Sequence, residues 1–237
     1  MRSVSLTFCG AIKIGKGSGG VDRYSIIYVI VYTLREMFFV MNEYIYLGAM
    51  WAVWCSLHSL FITSPVKTSA KERLGSRFKW YRLVYNLLSL ITVAPIVLYL
   101  QWIRGEYVFV WDDSLLPVKY IFWCVSVVLI VGGILSYDIR EFLGLQQLKV
   151  NSSSVNEERF VVKGIHRWVR HPWYSAVFVL LWARDLTKAD IVTAVVLSIY
   201  VLVGTYLEER RMVGSFGDEY RKYKSEVPAY IPWKIPG

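Results

Sequence analysis

Four runs of this chain, Tyr44 to Thr63, Leu83 to Ile103, Val118 to Tyr137 and Ala189 to Leu207, carry almost no charge and are long enough to cross a bilayer as helices. A hydrocarbon core about 30 Å thick takes roughly 20 helical residues, and only structures that satisfy every backbone N–H and C=O internally survive there. The expected fold is therefore all-α, a polytopic integral membrane helical bundle. A fifth run, Pro172 to Ala183, has the composition of a span but is short, and with it the spans number five. A sixth, Tyr24 to Val40, is interrupted by Arg35 and Glu36. It is open between a tilted span, an interfacial helix and an upstream extension. Residues 1–40 are accordingly expected to be an N-terminal extension, with Met37 and Met41 leaving a later start open, and 41–237 to be one membrane domain. Composition agrees: 55% of the 237 residues are hydrophobic and only 19% charged, outside the range of ordinary soluble domains.

The net charge of +9 is distributed between the runs rather than on one face, which fits the positive-inside rule and not a nucleic-acid partner. Lys67, Lys71, Arg73, Arg77, Lys79 and Arg82 face only Glu72 in the loop after the first of the four runs, whereas Arg104 is outweighed by Glu106, Asp112 and Asp113 in the next. The segments Arg140 to Arg170 and Arg210 to Lys234 are again basic. Alternation of sides places the chain in the cytoplasmic (inner) membrane with its C-terminus cytoplasmic; Lys13, Lys16 and Arg23 would put an extra first helix in the same scheme. Cys9, Cys55 and Cys124 are scattered, so neither a disulfide framework nor a metal site is expected. Gly15 to Gly20 has the wrong Lys-Ser order for a phosphate loop, and the sequon at Asn151 falls on the inner side. Asp138 and Arg140 stand at a helix end and are candidates to pair.

The densest polar cluster is Gly164-Ile165-His166-Arg167-Trp168-Val169-Arg170-His171-Pro172-Trp173-Tyr174. Pro172 suits the first turn of a helix, where its missing N–H costs nothing. That helix would extend only about 20 Å at 1.5 Å per residue, so either the hairpin is truncated or the helix starts below the cytoplasmic lipid surface, with Arg170 and His171 drawn inward beside a cavity. The returning run ends at Leu207 and is followed by Glu208-Glu209-Arg210-Arg211. Carboxylates at a helix C-terminus oppose the macrodipole; compensation is expected from Arg210, Arg211, Arg170 or a cationic ligand. The cluster reads either as a solvated charge group or as a ligand site. Met212 to Lys224 is expected to form an amphipathic surface helix, and the tail with Pro228, Tyr230, Pro232 and Trp233 to lie on the membrane or lid the cluster. His58, late in its run, reads as a substrate-side base or donor, or as an interhelical hydrogen bond.

The order Gly164-x-His166-x-x-x-Arg170-His171-Pro172-x-Tyr174, a hydrophobic hairpin, Glu208-Glu209, Gly217-x-x-Tyr220-x-x-Tyr223 and Val227-Pro228 with Ile231-Pro232 resembles the isoprenylcysteine carboxyl methyltransferase and phospholipid methyltransferase superfamily over residues 160–233. Leu57-His58-Ser59-Leu60, Val66-Lys67, Tyr81 to Asn86 and Asp138 with Phe142-x-Gly144-Leu145 resemble its NnrU-type and methanethiol S-methyltransferase branch. The resemblance implies S-adenosyl-L-methionine as cofactor, held over 160–233, and a small or lipid-permeable nucleophile, such as the thiol methanethiol, as acceptor reaching the site through membrane lipid. It implies cofactor contacts from His166, Arg170, His171, Tyr174, Glu208 and Glu209, with His58 and Arg170 as candidates for the catalytic step. Ala176 stands where the family pattern often has glycine. The resemblance leaves room for a non-catalytic or haem-binding NnrU-type accessory protein of denitrification, with His58 and His166 or His171 as axial pair, and for a nicotinamide-dependent reductase on a related scaffold.

Overall fold

The structure, a computed structural model, describes residues 23–136 and 160–233. The chain divides into two units, Met1–Asn42 and Glu43–Gly237. In chain order the elements are α1 (Arg23–Ile62), α2 (Ser64–Leu74), a 3-10 stretch (Gly75–Trp80), α3 (Tyr81–Ile103), β1 (Tyr107–Phe109), α4 (Leu116–Ser136), a 3-10 turn (Gly164–Arg167), α5 (Pro172–Trp182), β2 (Leu186–Thr187) and α6 (Lys188–Glu226). Among the described residues, four helical stretches are long and apolar enough to cross a membrane, Ile27–Ile62, Ser64–Ile103, Leu116–Ser136 and Lys188–Glu226, and α5 is a shorter apolar helix. This is a multi-pass membrane protein. The Gly15 to Gly20 run, the Asp138 and Arg140 pair, the Phe142 to Leu145 motif and the Asn151 sequon lie outside the described residues.

The first unit's described residues are helical, with Ile27, Tyr28, Val31 and Phe38 exposed. In the second unit, Leu47, Trp51, Ile96, Leu100, Ile103 and Ala189 form one core cluster and Leu129, Val169 and Ala176 another. Elsewhere α3 and α4 turn large apolar side chains such as Leu90, Leu98, Val128 and Leu135 outward, as helices in lipid do.

Small residues set the closest approach. A Cβ on Gly133 of α4 would lie 2.1 Å from Nε1 of Trp173 on α5, and that indole donates to the Ile130 carbonyl at 3.3 Å. Gly164 has φ +55, and a Cβ there would meet Ser136 Oγ at 2.4 Å. Glycine is thus required both by conformation and by space at the turn that leads to the polar cluster.

The start of α6 is fixed by a capping box in which the Thr187 side chain accepts from Asp190 N–H and the Asp190 carboxylate accepts from Thr187 N–H. Asp190 is buried, and Arg104 from the end of α3 and Arg184 after α5 reach it at 3.4 Å and 3.0 Å. The antiparallel pair β1–β2 closes the same end, with Tyr107 opposite Thr187 and Phe109 opposite Leu186.

One expectation needs correction. Met212 to Lys224 is helical but not one separate helix: it falls within α6 and is broken in its middle at Gly217 (φ 56, ψ −127), and no helix ends at Leu207. Glu208 and Glu209 therefore sit within a helix, and no macrodipole penalty applies to them.

Gly133→Ala is expected to lower the thermal unfolding midpoint in detergent, overpacking of this kind costing about 1–3 kcal/mol. Gly214→Ala, where an added Cβ meets nothing within 4 Å, should not lower it. Equal midpoints for the two variants would refute the α4–α5 contact.

Candidate functional site

The backbone leading into α5 is irregular at His171 (φ −124, ψ 66), neither helical nor fully extended, with Pro172 in the helix's first turn. Its N–H groups are not left open: Arg170 N–H donates to the Pro228 carbonyl at 2.9 Å and His171 N–H to that of Ala229 at 3.0 Å. The Ser175 hydroxyl lies 2.9 Å from the His171 carbonyl and 3.0 Å from that of Tyr230. The C-terminal tail is thereby stitched across the start of the short helix, as the lid reading of the tail expects.

Glu209 is the hub of the cluster. Its Oε1 accepts from Arg170 Nε at 2.8 Å, from Arg170 Nη2 at 2.6 Å and from His171 Nε2 at 3.1 Å, while Oε2 meets Lys224 Nζ at 2.7 Å. Only 7% of the Glu209 side chain and 8% of Arg170 is exposed. Arg170 Nη1 donates further to the carbonyls of Lys224, at 3.0 Å, and Val227. Every polar atom of the Arg170 fork is thus engaged within the chain.

Glu208, about 100° further round α6, behaves differently. Its side chain is 38% exposed, and Oε2 accepts from the Tyr174 hydroxyl at 3.0 Å and lies 3.9 Å from His171 Nδ1. The His171 and Tyr174 rings stack at 5.5 Å, and Tyr230 approaches the imidazole at 6.2 Å. The result is an accessible carboxylate beside a phenol and an imidazole, backed by a buried ionic cluster.

Of the residues expected to act together, Arg170, His171, Tyr174, Glu208 and Glu209 are joined directly. His166 is attached at the side: Nδ1 is 3.2 Å from the Arg170 carbonyl, and its own carbonyl accepts from Tyr223 at 2.7 Å. Burial holds its imidazole below the ordinary value, so it is neutral at pH 7. His58 lies apart from these contacts, with Trp54, Tyr85 and Ser89 in the membrane-spanning stretch. A cavity of about 300 Å³ beside Leu135, Lys163, Gly164, Ile165 and Trp168 touches none of the expected site residues. Sequence reasoning missed Lys224, one base among many in the tail, and Tyr85, although the Tyr81 to Asn86 motif contains it. The spacing of Tyr220 and Tyr223 was a usable signal for the tail's inward face: Phe160 packs against both rings, at 5.4 Å and 5.2 Å.

A family model described as NnrU protein matches residues 46–231. The chain belongs to the NnrU family. Among curated relatives, this NnrU-family chain is 30% identical over 195 residues to methanethiol S-methyltransferase 1 of Bradyrhizobium diazoefficiens, covering 77% of this chain and 65% of that protein. It is 29% identical over 182 residues to the methanethiol S-methyltransferase of Mycobacterium tuberculosis, covering 71% and 73%. A shorter match, 29% over 87 residues, covering 35% of this chain and 37% of the relative, is to the protein-S-isoprenylcysteine O-methyltransferase of Schizosaccharomyces pombe. The chain thus spans just under two thirds of the first relative's length. No solved structure matches. The NnrU match includes His58, the Arg170 to Tyr174 motif, both glutamates and the docked tail, in agreement with the branch expected from the motifs.

In this NnrU-family protein Glu209→Gln leaves Arg170 and Lys224 without their counter-charge. Breaking a buried pair typically costs about 3–5 kcal/mol, so the variant should show a lower unfolding midpoint and faster proteolytic cleavage within 225–233. Unchanged protection of the tail would show that Glu209 does not hold it.

Proposed function

We propose that this chain is an integral membrane methyltransferase that uses S-adenosyl-L-methionine to methylate a small, lipid-permeable nucleophile, a thiol such as methanethiol. The loop charges favour a site on the cytoplasmic side of the inner membrane, with the C-terminus on that side. The observation that carries the reading is the accessible Glu208 carboxylate, held by Tyr174 and His171 at the start of a helix too short to span. The names of the relatives point the same way.

The donor set fits the cofactor's chemistry. A methyl donor of this kind presents a sulfonium, an ammonium, a carboxylate and a ribose, which call for an acid together with hydrogen-bond donors and aromatic faces. Glu208, Tyr174 and His171 are the residues that would hold it. Arg170 and Glu209, consumed by each other, keep those three in place and are positioning residues in this reading. When bound, the cofactor supplies an electrophilic methyl group. The chain's part is to orient the groups and exclude water, since in-line displacement gains much of its acceleration from positioning.

Equilibrium binding of methyl-labelled cofactor to protein in detergent tests the assignment. Glu208→Gln should weaken binding at least about 10-fold, a hydrogen bond to a charged group contributing about 1.5–3 kcal/mol, without lowering the unfolding midpoint as Glu209→Gln does. Undiminished binding in Glu208→Gln would remove the pocket assignment. A Soret band in purified protein that binds no cofactor would replace the enzyme reading with the haem-binding one.

A further inference from the structure

A second polar cluster lies within the apolar helices, around His58. The imidazole stacks on Trp54 at 4.9 Å, one turn earlier on α1, and is flanked by Tyr85 at 5.1 Å and the edge of Tyr200 at 6.4 Å. The Tyr85 hydroxyl lies 2.8 Å from each ring nitrogen and 3.1 Å from the His58 carbonyl, and Ser89 Oγ is 3.1 Å from Nδ1. A helix-to-helix tie needs one such contact; here two hydroxyls from α3 converge on one imidazole, walled on three sides by aromatic rings. None of these contacts involves an acid or a fixed cation.

The cluster is connected to the carboxylate site along α6. Tyr200, Gly204 and Glu208 recur every fourth residue and share a face, spanning roughly 12 Å of axis at 1.5 Å per residue. Between them is room: a Cβ on Gly204 would meet nothing within 4 Å. Tyr200 receives the Ser59 hydroxyl at 3.1 Å on the His58 side, and two helical turns on Glu208 accepts from the Tyr174 hydroxyl at 3.0 Å.

We propose that the His58, Tyr85 and Ser89 cluster is the acceptor end of the site, taking a small uncharged aliphatic thiol whose proton passes to His58. The inference rests on the methyl-transfer reading given above. The S–H bond breaks and its proton goes to an imidazole nitrogen; the sulfur lone pair forms a bond to the donor's methyl carbon. The methyl–sulfonium bond breaks with its electron pair retained by the departing sulfur, leaving two thioethers and, once His58 releases it to water, one proton. Ser89 anchors Nδ1, and the Tyr85 hydroxyl has the His58 carbonyl as an alternative acceptor, so one ring nitrogen is free to take the proton.

The surroundings select the acceptor class. A carboxylate acceptor would enter charged and need a cation that the cluster lacks. A neutral thiol partitions into lipid, is within reach of imidazole basicity, and its sulfur is attracted to aromatic edges.

The chain has three histidines, His58, His166 and His171, so ¹⁵N-histidine spectra of the full chain in detergent can follow each imidazole. Ethanethiol should shift the His58 resonances and leave those of His166 and His171 in place. His58→Gln should keep cofactor binding within twofold while kcat/KM for ethanethiol falls about 100-fold, the scale of general-base catalysis, and recovers at alkaline pH as solution thiolate rises. Tyr85→Phe, which keeps the ring, should lower kcat/KM about 10-fold with cofactor binding intact. Ethanethiol turnover by His58→Gln within threefold of the parent at neutral pH, or a His58 signal unmoved by thiol while the parent binds cofactor, overturns this inference alone. A parent protein that binds no cofactor overturns the methyl-transfer reading and this inference with it.

Discussion

A buried carboxylate must bring its counter-charges with it, and at Glu209 they come from separate parts of the chain. Arg170 arrives from the segment before α5 and Lys224 from beyond the bend in α6. Had α6 continued straight, the 15 residues from Glu209 to Lys224 would have placed them roughly 22 Å apart at 1.5 Å per residue. The reversal at Gly217, with its positive φ, is what makes a 2.7 Å contact attainable. One ion cluster therefore depends on one glycine, and the docking of the tail depends on both.

That cluster divides the labour between adjacent glutamates. Glu209 is buried and engaged at both carboxylate oxygens by partners within the chain. Glu208, facing another direction on the same turn, makes one short hydrogen bond and remains open. Identical chemistry at neighbouring positions thus serves as a structural anchor and as an accessible charge. Desolvation of Glu209 is offset by Arg170, Lys224 and His171; Glu208 is left solvated enough to exchange water for a ligand.

The spans were legible in the sequence because lipid imposes a length and a composition on them, and the boundaries of α3, α4 and α5 fall within a few residues of the apolar runs. The grouping of Arg170, His171, Tyr174, Glu208 and Glu209 was legible as well, through motif order and through a helix too short to cross. What sequence could not separate was Glu208 from Glu209, since their difference is a rotation of about 100° and the presence of Lys224. Nor could it locate the break in α6: Gly217 was visible as part of a motif, but the charges at Glu208 to Arg211 looked like a boundary. His58 was singled out, whereas its partners Tyr85 and Ser89 lie on another helix and become neighbours only through packing.

The short α5 makes the tail indispensable. Eleven residues reach about 16 Å at 1.5 Å per residue, against a hydrocarbon core of about 30 Å, so α5 cannot cross the core alone, and the amides of the irregular backbone before Pro172 need partners from elsewhere in the chain. The carbonyls of Pro228 and Ala229 accept from the two N–H groups nearest the helix start, and the Ser175 hydroxyl closes the next turn against Tyr230. In a bundle whose apolar faces slide easily in lipid, these polar contacts fix the height of α5 against α6. Tyr174 can meet Glu208 only at that height, so the tail, through the backbone carbonyls of Pro228, Ala229 and Tyr230, sets the geometry on which an accessible carboxylate depends.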